Sequence, residues 1–159
     1  MKLSIIVVIA IVIVLAVYEV IHRFLIKRAI RIVQHQAQVQ TDRVVKAASQ
    51  LLFHADKFAE SKIVADIWGK GVMSFEYELD LHEMPSESQE QIERHDFQKA
   101  LNQCAQAEGV LGFQGAREPF LITDWWVFEH ILHVDVTYIM NEATAEYVHD
   151  LHKLDKESK

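Results

Sequence analysis

The chain has 159 residues, half of them apolar, with 16 Lys/Arg against 23 Asp/Glu and a formal charge of −7. That size suits one membrane segment with one small domain behind it, and is too small for two such domains. The acidic balance repels a phosphate backbone and sets nucleic acid aside as an expected partner, while a lone Cys104 cannot make an internal disulfide.

From Leu3 to Val17 every residue except Ser4 is apolar, and the apolar character runs on to Ile21, broken only by Glu19. A helix over this stretch would reach roughly 28 Å, close to the hydrocarbon thickness of a bilayer. Residues 1–22 are therefore expected to form a transmembrane anchor. A cleaved signal peptide fits less well, because only Lys2 precedes the apolar run and no small-x-small site follows it. A buried core helix fits less well again, because Ile and Val occupy the whole circumference.

Residues 23–40 are expected to form a basic juxtamembrane helix and hinge. Arg23, Lys27, Arg28 and Arg31 follow the apolar run, whereas Lys2 and the α-amino group precede it. Retention of Lys and Arg in the cytoplasm then predicts a single-pass protein of the cell membrane with a cytoplasmic C-terminal domain; the opposite, extracytoplasmic orientation is the alternative. The four basic residues would also lie against anionic headgroups, at about 1 kcal/mol each. The polar stretch from Gln34 to Gln40 is the expected hinge.

Residues 41–159 are expected to form a soluble acidic α+β domain. No Gly or Pro occurs before Gly69, which favours one long helix leaving the membrane. Ile30, Ala37, Val44, Leu51, Phe58 and Ala65 recur every seven residues, with Val45, Ala48, Leu52, Ala55 and Ala59 beside them. So wide a stripe predicts packing on the chain's own domain, with a self-associating coiled coil as the alternative.

Ser74 to His82 alternates as a strand, with Phe75, Tyr77, Leu79 and Leu81 on one face and Glu76, Glu78, Asp80 and His82 on the other. Ser86 or Ser88 is placed to cap a helix whose buried face is Ile92, Phe97, Ala100, Leu101, Cys104 and Ala105, ending at Gly109. Phe120–Phe128 suits a strand, although Thr123-Asp124-Trp125-Trp126 also suits the start of a short helix. Ile131–Ile139 is a second alternating strand, and Asn141 caps a last helix that buries Ala143, Tyr147, Val148, Leu151 and Leu154.

This order predicts an N-terminal transmembrane helix continuing into a long amphipathic helix. A small antiparallel-containing sheet follows, with helices on one face, in an incomplete ferredoxin-like arrangement. The Ser74–His82 and Ile131–Ile139 strands should pair antiparallel.

If those strands pair, Glu76, Glu78, Asp80 and His82 share a surface with His133, Asp135 and Thr137. Two imidazoles with nearby carboxylates have the chemistry of a zinc site, with His82, His133, Asp80 and Asp135 as candidate ligands. The preferred reading is a solvated face with no cofactor. Histidines at 149 and 152 share a helix face but need further ligands, and Glu129-His130-Ile131-Leu132-His133 has metal-binding spacing only if helical. Cys104 reads as a core residue rather than a nucleophile, and no Gly-x-Ser-x-Gly elbow or phosphate loop is present. Trp125 and Trp126, adjacent on a strand, must face opposite ways, so one of them is a candidate partner surface.

Two functions are expected from these residues. The first is a membrane-anchored binding or assembly protein, not an enzyme, whose partners are the bilayer and a protein with a basic face, homo-oligomerisation being left open. The second is a membrane-tethered metal-dependent enzyme or metal sensor that uses the His/carboxylate cluster.

Overall fold

A computed structural model describes residues 2–53, 58, 60–64, 71–83 and 93–157. Helix α1 is Lys2–Phe53, and the chain divides into two compact units, 1–35 and 36–159.

In the first unit the described apolar side chains from Ile9 to Ala29 are exposed, Val14 at 66% and Val20 at 68%. The helix from Ile9 is long and apolar enough to cross a membrane. Glu19, the acid that interrupts the run, is paired with Arg23 one turn on, at 2.7 Å, an i,i+4 arrangement that neutralises both groups at the end of the apolar stretch.

The second unit is built on a four-stranded antiparallel sheet. Its strands are β1 (Lys62–Ile63), β2 (Ser74–Asp80), β3 (Phe120–Phe128) and β4 (Ile131–Tyr138), in the order β1-β2-β4-β3. Helix α2 (Arg94–Ala107) connects β2 to β3, and α3 (Glu142–Glu157) follows β4. The expected antiparallel pairing of the two alternating strands is present, from Ser74 opposite Thr137 to Asp80 opposite Ile131. Phe120–Phe128 is a strand rather than a helix start, and it forms a hairpin with β4. β4 therefore lies between β2 and β3, so the chain crosses from β2 over α2 and returns into the gap, a split β-α-β unit. The two-residue β1, which periodicity did not reveal, flanks β2.

One face of this sheet is the core. Phe75, Tyr77, Leu79, Leu132, Val134, Val136, Phe120 and Ile122 are buried there with Phe97, Leu101 and Ala105 of α2. The second part of α1 contributes Ala37, Thr41, Val44, Val45, Ala48 and Ser49, all buried. Their spacing follows the helix period rather than strict sevens, and this corrects part of the heptad reading. At the C-terminal end of α1 the stripe is no longer covered, with Leu51 54% and Leu52 37% exposed. Phe58 does pack on the core, but from beyond the helix end. Positions 55, 59 and 65 of the stripe lie outside the described residues.

α2 ends as the sequence suggests. Gly109 adopts φ +69°, its N–H donates to the Gln106 carbonyl, and the Val110 N–H donates to the Ala105 carbonyl, which is a Schellman closure that an L side chain would strain. Its start corrects the sequence reading in part, since the helix begins at Arg94 after Glu93, and the proposed capping serines lie outside the described residues. Along its length, Gln98 and Asn102 exchange hydrogen bonds with the backbone of Phe120 and Ile122, and Arg94 donates to the Ile122 carbonyl. Side chains of α2 thus saturate the first half of an edge strand.

α3 does not join the other helices on the core face. Its Asn141 cap accepts from the Thr144 N–H at 2.8 Å, and Thr144 accepts from the Met73 N–H. Tyr147, one turn further on, reaches Thr123 and feels the charges of Asp135 and Asp124, residues of the opposite, polar face. The expectation of helices on one face fails here, and on this polar face Ser74, Thr123 and Thr137 form a hydroxyl chain with 2.9 and 3.0 Å links. A chain satisfied in this way is coverable at little cost. Of the residues expected to be buried on α3, Val148 is buried and Leu154 is exposed.

Candidate functional site

The polar face of the sheet follows from the period of two. Ser74, Glu76 and Glu78 alternate along β2, and His133, Asp135 and Thr137 along β4. Register sets Glu76 opposite Asp135 and Glu78 opposite His133. The His133 ring reaches diagonally, with Nδ1 2.9 Å from Glu76 Oε1 and 3.9 Å from Glu78 Oε1, as the twist of a two-strand ladder favours. Lys62 of β1 forms an ion pair and hydrogen bond with Glu78. This holds the Glu78 carboxyl below the usual carboxylate range and the Lys62 ammonium above its ordinary value.

β3 closes the third side. A bulge between Ile122 and Asp124 shifts the register, after which Trp125 lies opposite Val134 and Trp126 opposite His133. Trp125 packs towards the core, 6.0 Å from the Phe97 ring. Trp126 lies flat on the His133 imidazole, with centroids 4.8 Å apart and planes 7° apart. The two tryptophans therefore divide between the faces, and the one on the polar side stacks on the central histidine.

Asp135 lies beside this group with Oδ1 buried and without a hydrogen-bond partner among the described residues. Burial, then the charges of Glu76 and Asp124, push its carboxyl up to about 6, with His133 acting in the opposite direction.

The four proposed metal ligands are thus split. His133 and Asp135 are on the polar face. Asp80 is at the end of β2, where its carboxylate accepts from the His82 N–H. His82 is in a short 3-10 turn, Leu81–Glu83, and stacks on His130 at 4.5 Å. With Glu78 opposite His133, His82 falls beyond the end of the ladder. Among the described residues, the group of three His, Cys or carboxylate side chains whose ligand atoms lie within 4.8 Å of one another is Glu76, Glu78 and His133. The alternation that placed both glutamates beside His133 carried the signal for this set, but register was needed to choose it over His82. Lys62 had no sequence signal.

Glu129 and His130 form the hairpin turn, both with positive φ (47° and 64°). That is the geometry of a two-residue hairpin usually supplied by Asn-Gly, and it breaks the helical spacing that a Glu-His-x-x-His metal motif would need. Val127 and Phe128 next to it are exposed. His149 and His152 are exposed on α3. Cys104 is half-buried against the core, and burial, then Glu108, pushes its thiol up, away from nucleophilic chemistry. Arg23, Lys27, Arg28 and Arg31 are exposed on α1.

Protein families, curated proteins and solved structures give no match to this chain.

Proposed function

We propose that this chain is a single-pass membrane-anchored binding or assembly protein that presents a small acidic α+β domain at the cytoplasmic surface. The observation that carries the reading is the uncovered apolar surface of the first unit. Ile, Val and Leu side chains from Ile9 to Ile26 are exposed around the helix, and so long an apolar surface is stable in lipid and not in water. Arg23, Lys27, Arg28 and Arg31 at its C-terminal end support the cytoplasmic orientation. The exposed Trp126, Val127 and Phe128 on the second half of β3 supply an apolar contact surface, and the acidic remainder of the domain favours a partner with a basic rim.

The test is in membranes. The full chain should stay in the pellet after alkaline carbonate extraction, and a C-terminal reporter active only outside the cytoplasm should stay silent. Release into the supernatant overturns the anchor, and strong reporter activity overturns the orientation. A photo-crosslinking residue at position 128 should give discrete adducts that one at exposed Gln103 does not. Equal labelling at both positions would remove the contact surface.

A further inference from the structure

Glu76, Glu78 and His133 have more in common than a cross-strand ion pair requires. Their ligand atoms lie within 4.8 Å of one another. All three come from paired strands rather than loops, and the side chains are 24%, 28% and 15% exposed. Trp126 fixes the plane of the imidazole. Among the described residues, four carboxylates, those of Glu76, Glu78, Asp124 and Asp135, share this surface with the Lys62 ammonium and the His133 imidazole, and Asp135 Oδ1 is buried without a partner. An excess of partly buried negative charge around a histidine on a rigid frame is what a bound cation relieves.

We propose that Glu76, Glu78 and His133 bind one first-row divalent metal ion, and that Lys62 is the internal cation which the metal displaces from Glu78. One imidazole nitrogen with two carboxylate oxygens is a borderline donor set. It suits zinc or manganese better than a soft ion, and it leaves at least one coordination position open. In the metal-free form the His133 Nδ1–H donates to Glu76. On binding, the imidazole passes to its Nε2–H tautomer, one proton leaving Nδ1 for solvent as one is taken up from solvent at Nε2, so that the Nδ1 lone pair turns to the metal, and the Lys62 ammonium swings into water, where its side chain is already 61% exposed. The site is separate from the membrane reading, since neither the apolar helix nor the basic cluster contributes to it.

Zinc chloride is the probe, titrated calorimetrically into the full chain purified in detergent with a histidine-free tag and without chelator. One ion per chain is expected, with a rise in Tm that a chelator reverses. The double variant E76Q/E78Q should weaken binding by at least tenfold, and so should H133F, which keeps an aromatic ring under Trp126. K62M removes the competing ammonium and should tighten binding several-fold, a gain that misfolding cannot imitate. H149Q/H152Q should change nothing. The proposal is overturned if the wild type binds no stoichiometric zinc. It is also overturned if binding survives unchanged in E76Q/E78Q and H133F, if it is lost in H149Q/H152Q, or if K62M fails to tighten it.

Discussion

The two faces of the sheet are made by the same four strands and behave differently. On the core face, Phe75, Leu79, Ile122, Val134 and Val136 are buried against α1 and α2. Any apolar side chain of the right size would be held there, because burial is non-directional and scales with area. On the polar face, each residue is held by a particular partner: His133 by Glu76 and Trp126, Glu78 by Lys62, and Thr137 by Ser74 and Thr123. Where the described residues supply no such partner, as at Asp135 Oδ1, the fold is penalised. The core face supplies stability in bulk, while the polar face sets up chemistry through a few pairs.

The largest expected effect tests the core side. Phe75→Ala removes a fully buried ring and should destabilise by about 3–5 kcal/mol in equilibrium unfolding. A loss below about 1 kcal/mol would mean that the two faces are not energetically distinct.

The polar face is expected to respond with the opposite sign. The Asp135 carboxyl is raised from 3.8 to about 6 in the fold, so ionising it there costs stability. The penalty is absent below pH 4, grows between pH 4 and pH 6, and is fully present above that. Asp135→Asn should therefore stabilise at pH 7, by about 1 kcal/mol after solvent screening is allowed for. That advantage over the wild type should vanish at pH 4. A pH-independent difference would show that Asp135 does not titrate in this window.

The smallest effect belongs to Leu51, which has the sequence signature of the core but is exposed. Leu51→Ala should change unfolding stability by no more than about 0.5 kcal/mol. A loss of 2 kcal/mol or more would place it back in a buried interface and restore the strict seven-residue stripe.

The sequence by itself determined the elements whose signal is local. Fifteen residues from Leu3 to Val17 with one polar member declare an apolar helix. Alternation over Ser74–Asp80 and Ile131–Tyr138 declares two strands and separates their buried and polar sides, and Asn141 and Gly109 mark helix ends because their chemistry is needed there. What needed the tertiary structure was whatever depends on how distant segments meet. A shift of register changes which polar residues are neighbours without changing either strand's pattern, so Glu76 and Glu78, not His82, came to surround His133. Leu51 and Leu52, at the end of α1, are exposed although the apolar stripe continues through them. Tyr147 of α3 reaches the polar face, where Ser74, Thr123 and Thr137 form a hydroxyl chain, and Lys62 entered the site on a strand too short to show any period. Which face of a strand is buried can be read from its alternation, because burial asks only for removal from water. A polar site cannot, because hydrogen bonds and ion pairs depend on distance and angle between groups that only the completed fold brings together.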